Sequence, residues 1–235
     1  MDVRKIPTKI VRKLRKVVQV WQERGTQGTI EYAYRVVMRR IRQRVNYQQW
    51  IARNRLTRSD IAIAEKEMAC WSLQPTFSVL MPVYNVEESW LIKAIESVRN
   101  QIYPNWELCI ADDASSAPHI KPLLTHYSKL DSRIKVVFRE KNENIVAASN
   151  SALALATGEY VALLDHDDEL AIDALFENAK LINQFPDADF IYSDEDKIDP
   201  EGRRSDPFFK PDWSPDYFHS CMYTCHLGVY RTKIL

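Results

Sequence analysis

Glycine is scarce in this chain, with five among 235 residues, and prolines number eleven. So thin a supply excludes collagen-like repeats and low-complexity linkers. The sequence contains no Gly-x-Gly-x-x-Gly and no Gly-Lys-Ser/Thr, which removes a dinucleotide fingerprint and a phosphate-cradling P-loop. A Gly-x-Ser-x-Gly elbow is missing too, and with it the usual α/β-hydrolase chemistry. No apolar run approaches the ~18–20 residues that cross a bilayer. The opening MDVRKIPTKIVRKLRK has the basic flank of a signal peptide without the apolar stretch behind it, so secretion is not expected. Four cysteines are too few for a disulfide framework at this length, and a reducing, cytoplasmic compartment fits them better.

What is present is a globular composition, 46% apolar and 27% charged, enough for one full core and an appendage. The net charge of zero conceals a split. Residues 1–72 hold 17 Lys/Arg against 6 Asp/Glu, a net +11, and residues 73–235 hold 15 against 26, a net −11. In the basic part, Ile6, Ile10, Val11, Leu14, Val17, Val18 and Trp21 recur at helical spacing among lysines and arginines, and a second helical stretch runs from about Ile30 to Trp50. A basic amphipathic helix of this kind suits an anionic membrane surface at the inner face of the cell membrane. It equally suits an ordinary helix whose stripe packs on the following domain. Without a nucleic-acid-binding motif beside the basic run, nucleic acid is not an expected partner.

From Phe77 onward short apolar runs alternate with helical stretches. Phe77–Met81 reads as a strand stopped by Pro82. Glu87–Gln101 reads as a helix with Trp90, Leu91, Ala94, Ile95 and Val98 inward. Glu107–Ala111 is a strand, Ile120–Leu130 a helix, Ile134–Phe138 a strand, and Ile145–Ala156 an Ala-rich helix closed by Gly158. Tyr160–Leu164 is the next strand, Ile172–Phe185 a helix, and Phe190–Tyr192 the core of a strand. The pattern predicts an α/β domain over residues 75–235, a mostly parallel sheet with helices on both faces, after a basic helical region and linker over residues 1–74.

Ligands collect at the carboxyl ends of strands in such sheets. Pro82-Val83-Tyr84-Asn85 follows the first strand, Asp112-Asp113 the second, Asp165-His166-Asp167-Asp168 the fourth and Asp194-Glu195-Asp196 the fifth. One such cluster is commonly solvated or caps a helix. Three on one edge repel unless a cation joins them, and hard oxygen ligands suit Mg²⁺ or Mn²⁺ with a phosphate-bearing substrate.

The segments FSVLMPVYN, ELCIADDAS, ENIVAASNSALALATGEYVALLDHDDEL and DFIYSDEDKID, in this order, resemble family 2 glycosyltransferases of the GT-A fold, closest to bacterial members that build O-antigen and other surface polysaccharides. The resemblance covers about residues 75–232. It implies that Pro82, Val83, Tyr84 and Asn85 line the nucleotide base and ribose. One of Asp112 and Asp113 would recognise the base. Asp165-His166-Asp167 matches the family's Asp-x-Asp, with Asp165 and Asp167 holding Mn²⁺ or Mg²⁺ on the donor diphosphate and Asp168 supporting them. Asp194, Glu195 and Asp196 would lie near the donor sugar or the acceptor. The implied activity is metal-dependent, inverting transfer from a UDP-, GDP- or dTDP-sugar to a glycan or lipid-linked acceptor at the cytoplasmic membrane face.

The family's base lies on an acidic motif after a strand like His226–Tyr230, and no residue up to Leu235 matches it. The expectation is therefore a C-terminally incomplete GT-A domain, and the alternative is a catalytically silent module that binds a nucleotide-sugar or a partner. His219, Cys221, Cys225 and His226 could be drawn as zinc ligands, but Cys-x₃-Cys without a second pair is poor zinc spacing. Trp213, Tyr217 and Phe218 could stack on a sugar, with core packing the safer reading for at least two of them.

Overall fold

The computed structural model describes residues 46–235 throughout and, before them, residues 19, 21, 22, 25–27, 29, 30, 32–34 and 38. The expected basic helix over Ile6–Trp21 and most of the one over Ile30–Trp50 lie outside the described residues; residues 46–53 are helical. The chain divides into two compact units. One comprises residues 1–55 with Asp196–Pro207, the other Leu56–Glu195 with Phe208–Leu235.

The larger unit opens on α1 (Arg58–Ala69), started by a capping box in which Thr57 Oγ1 accepts the Asp60 N–H and Asp60 Oδ2 accepts the Thr57 N–H. Ala64 and Met68 of α1 join the core of the sheet, so this unit begins inside the stretch that the sequence grouped with the basic region. The elements that follow are β1 (Phe77–Val83), α2 (Glu88–Arg99), β2 (Trp106–Asp112), α3 (Ile120–Leu130), β3 (Ile134–Phe138), α4 (Asn144–Leu153), β4 (Tyr160–Leu163), α5 (Ala174–Gln184) and β5 (Phe190–Tyr192). After the hairpin strands β6 (Glu195–Ile198) and β7 (Arg204–Phe208) come the short helix α6 (Pro215–Ser220) and β8 (Gly228–Arg231).

Six strands form one sheet in the order β3-β2-β1-β4-β8-β5. β1 to β4 are mutually parallel, and β8 runs antiparallel between β4 and β5. Successive side chains of a strand alternate between faces, and each face here has its own cover. On one face Phe77, Val79, Met81, Leu108, Ile110, Tyr160 and Ala162 meet the inner sides of α2, α3 and α5. On the other, Leu80, Cys109, Ala111 and Val161 meet Ala148 and Ala152 of α4. Small residues on both sides let α4 lie close to the strands. Each large apolar side chain so buried contributes roughly 1.5–3 kcal/mol, which makes the first face the main source of stability.

Two expectations are corrected. Pro82 does not stop β1, which runs on to Val83. The β4 register ends at the Leu80–Leu163 pair, so the N–H that proline lacks falls where β1 no longer has a partner on that side. Trp90 is not part of the inner face of α2: it is 40% exposed, at the edge of a stripe in which Leu91, Ala94, Ile95 and Val98 are fully buried. Among the described residues no helix is long and apolar enough to cross a membrane.

In the smaller unit, β6 and β7 form a hairpin whose turn is closed by the Asp199 carboxylate accepting the Arg203 N–H at 2.8 Å. Asp196 accepts from Arg204 Nε at 2.6 Å and from the Tyr47 hydroxyl, and Gln48 Nε2 donates to the Arg204 carbonyl at 2.8 Å.

Candidate functional site

The strand order places β1 beside β4 at the point where the chain direction of winding reverses, and the crevice beyond the carboxyl ends there is the usual ligand position of an open α/β sheet. Each loop at this edge is tied to its neighbour. Asn85, in the left-handed region at φ 47°, donates its N–H to Ser115 Oγ at 3.0 Å. Its side-chain oxygen accepts the N–H groups of Ser116 and Ala117, both at 2.9 Å. Asn85 thus clamps the loop after β1 to the loop after β2 and spends its carbonyl on that clamp. Of its neighbours, Val83 is buried in the core, Pro82 is half-buried, and Tyr84 is 47% exposed with its ring available at the edge.

The two acids after β2 have different surroundings although both are buried. Asp113 lies 2.9 Å from Arg139 Nε, and both of its oxygens accept the Glu143 N–H at 3.2 Å. Arg139 in turn donates to Glu143, to the Ala147 carbonyl at 2.6 Å and to Ser151 Oγ at 2.5 Å. Asp113 therefore anchors the start of α4. Asp112 accepts one hydrogen bond, from the Ser115 N–H at 3.2 Å, and keeps the less committed carboxylate.

Beyond β4 the chain turns sharply, with the Asp168 N–H donating to the Asp165 carbonyl at 3.2 Å, which sets the two side chains side by side. His166 points away from them, its Nδ1 3.0 Å from the Pro82 carbonyl. Asp167 is exposed and lies outside the cluster. In its place the structure brings His226, from the segment leading into β8: Nε2 is 3.6 Å from Asp165 Oδ2 and Nδ1 is 3.9 Å from Asp168 Oδ2. One donor atom from each of the three lies within 4.8 Å of the others, and the side chains are 42%, 47% and 39% exposed for Asp165, Asp168 and His226. Two carboxylates and an imidazole on a half-open surface fit a divalent ion that keeps positions for water or phosphate oxygens; the nitrogen favours Mn²⁺ over Mg²⁺.

Asp194 and Glu195 lie behind His226. Asp194 Oδ1 accepts the Lys210 N–H at 2.6 Å, and Glu195 Oε2 accepts from Lys210 Nζ at 3.2 Å and from the His226 N–H at 3.3 Å. Asp196 belongs to the hairpin unit, where Arg204 and Tyr47 occupy its carboxylate. Among the described residues His219, Cys221 and Cys225 join no potential metal group, and all four cysteines are free. Tyr217 stacks on the buried Tyr223 ring at 4.8 Å and Phe218 meets it edge-on at 6.3 Å, whereas Trp213 is 54% exposed.

The family model described as "Glycosyl transferase family 2" matches residues 78–235. The chain belongs to this family. Its mostly parallel six-stranded sheet agrees with the GT-A fold of solved neighbours such as TarS. Over 68% of this chain and 46% of the other, it superposes with a TM-score of 0.55 and 24% identity on S. aureus TarS 1-349 in complex with UDP-GlcNAc. At that identity the likeness speaks for the fold. Two curated relatives share more sequence. An uncharacterized protein y4gI of Sinorhizobium fredii is 51% identical over 161 residues, 68% of this chain and 18% of its own length. The O-antigen biosynthesis protein RfbC of Myxococcus xanthus is 36% identical over 190 residues, 81% of this chain and 15% of its own length. The family 2 chain thus spans less than a fifth of either relative.

The sequence offers His226 only as a zinc candidate with His219, Cys221 and Cys225, and nothing in it says that the following run inserts antiparallel next to β4 and brings His226 to the acidic edge. Lys210 carried no signal at all.

Proposed function

We propose that this family 2 chain binds a nucleotide-activated sugar at the carboxyl edge of its sheet and takes part in moving the sugar to a glycan or lipid-linked acceptor of the cell surface. The observation that carries the reading is the meeting of Asp165, Asp168 and His226 at the crevice between β1 and β4, in a chain of a glycosyltransferase family. The UDP-GlcNAc in the TarS complex and the O-antigen name of RfbC support the donor and acceptor classes. Asp165, Asp168 and His226 would hold Mn²⁺ or Mg²⁺, which supplies positive charge to the leaving nucleoside diphosphate. Asp112 is assigned to the base, and the Tyr84 ring to stacking upon it. Inversion would follow from one displacement: the acceptor oxygen bonds to the anomeric carbon as the bond to the diphosphate breaks, and the hydroxyl proton passes to a carboxylate.

Calorimetric titration of UDP, GDP and dTDP with and without Mn²⁺ tests this. One nucleotide should bind in a Mn²⁺-dependent way, and Asp165→Ala/Asp168→Ala and His226→Ala should lose that dependence, while Asp167→Ala keeps it. If Asp167→Ala is the variant that loses it, the Asp-x-Asp pair holds the ion instead; binding of none of the three overturns the reading. The net +11 of residues 1–72 extends the proposal to an anionic membrane at the cytoplasmic face. The full chain should then sediment with phosphatidylglycerol vesicles and a chain lacking residues 1–45 should not.

A further inference from the structure

We propose that Lys210 is a positioning residue that sets His226 against Asp165 and Asp168, an inference that rests on reading those three residues as the cation site. The Lys210 side chain is 1% exposed, so its ammonium does not touch a substrate. Three protons meet three acceptors: Glu195 Oε2 at 3.2 Å, the Thr224 carbonyl at 3.3 Å and the His226 carbonyl. Glu195 Oε2 also accepts the His226 N–H at 3.3 Å. The ammonium–carboxylate pair therefore grips residue 226 by both of its backbone groups. The neighbouring peptide is held in the same way, since Ser193 Oγ accepts the Leu227 N–H and the Ser193 N–H donates to the Leu227 carbonyl, both at 3.2 Å.

This grip is needed because β8 begins only at Gly228, so residues 224–227 precede the ladder that would otherwise hold them. A buried ammonium is costly unless it is paired and fully hydrogen-bonded, and nothing in the core requires one here. Its charge is moreover the wrong sign for a neighbour of a cation. A lysine placed there opposes the ion electrostatically and favours it only by holding the imidazole in place. Groups that orient a ligand from behind typically set metal affinity by ~10–100-fold.

The two effects have opposite signs, which makes the test decisive. Mn²⁺ binding to the full chain is measured by electron paramagnetic resonance, with hydrogen exchange at residues 224–227, for the parent, Lys210→Met and Lys210→Arg. If positioning dominates, Lys210→Met binds Mn²⁺ ~10-fold more weakly or worse, its 224–227 amides exchange faster, and metal-free nucleotide binding stays at the parent value. Lys210→Arg, which keeps the charge but not the compact three-way donor, shows a smaller loss in the same direction. Mn²⁺ affinity that is unchanged or tighter in Lys210→Met overturns the proposal. If Lys210→Met does not fold, Lys210→Arg alone decides by the same criterion. Equal Mn²⁺ binding by the parent and Asp165→Ala/Asp168→Ala overturns the cation reading and the inference with it. That failure is distinguishable, because the Lys210 failure leaves the parent and the double variant different.

Discussion

At the amino edge of the sheet one carboxylate is buried and matched on every side, whereas at the carboxyl edge two carboxylates face each other half in water. Glu107, at the start of β2, accepts from Ser78 Oγ at 2.6 Å, from the Thr157 N–H at 2.6 Å, from Thr157 Oγ1 at 2.9 Å and from Lys135 Nζ at 2.5 Å. Asp165 and Asp168 have between them an imidazole that is charged only when protonated. A carboxylate built into so many donors serves the fold, and on the proposed function the two half-exposed carboxylates beside an imidazole are the ones that take up a cation. On this reading the two edges of one sheet separate stability from binding, and variants at five positions can break or sharpen that separation.

The largest effect is expected at Glu107. Burial alone would raise its pKa, but the hydrogen bonds from Lys135, Ser78 and Thr157 outweigh it and bring the carboxyl down to about 2. Glu107→Ala leaves Ser78 Oγ and the Thr157 N–H without their shared acceptor, at roughly 1–3 kcal/mol for each buried group, so it should lower the denaturation midpoint strongly. Nucleotide binding by the fraction that stays folded should be unaltered. Because the folded-state value lies below the unfolded one, the contribution is complete above about pH 4.5 and fades as pH falls toward about 2. Urea denaturation between these limits should show that loss in the parent and not in Glu107→Gln; a parallel decline in both would assign the acid sensitivity to other carboxylates.

Next comes the opposite edge. Asp165→Asn/Asp168→Asn should weaken Mn²⁺ binding by on the order of 100-fold, the upper end of what even outer partners of a ligand contribute. Stability should shift by no more than about 0.5 kcal/mol, since both groups are surface-near and repel each other. A large stability loss would mean that this edge is structural too, and the comparison between the edges would fail.

A smaller effect is expected at Gly158, beside the Glu107 network, where the N–H donates to Ser78 Oγ at 2.9 Å. A β-carbon there would stand 2.5 Å from the Thr76 carbonyl oxygen and 2.8 Å from Ser78 Oγ. Backbone cannot yield as a flexible side chain does, so Gly158→Ala should cost ~1–3 kcal/mol in denaturation while Mn²⁺ binding is preserved.

The same contrast explains what could be read in advance. β3, β5 and α3 carry their expected bounds because each is a short, strongly apolar or helically periodic run flanked by polar residues. Pro82 misled because its cost depends on whether a partner strand continues beside it, which is a property of register. His226 reaches Asp165 only because β8 pairs antiparallel with β4, Gly228 opposite Leu163, and so delivers its preceding residues to the carboxyl edge. No periodicity encodes that insertion. Asp112 and Asp113 are indistinguishable as letters and part only when Arg139 takes one of them. The acidic edge is legible from the residues that follow each strand; a local turn sets Asp165 beside Asp168, while long-range pairing decides that His226 joins them and Arg139 takes Asp113.

The smallest effect should appear at Ala114, inside the loop that presents Asp112, and it tests whether the binding edge stores strain. Ala114 sits at φ 58°, in the left-handed region, where a β-carbon costs roughly 1–2 kcal/mol. The neighbouring bonds enforce this, since Ser115 is tied to Asp112 through its N–H and to Asn85 through its hydroxyl. Ala114→Gly removes the clash but enlarges the freedom of the unfolded chain, which returns about 0.5–1 kcal/mol, so the net gain in stability should be within about 1 kcal/mol. Glycine also lets the loop leave the conformation that presents Asp112, and nucleotide affinity should drop by about two- to three-fold as other loop states become populated. Stability and affinity would then move in opposite directions at one residue. A variant that loses stability instead would show that the loop is held in the left-handed region without strain, and that its shape is a consequence of the Asn85 clamp alone.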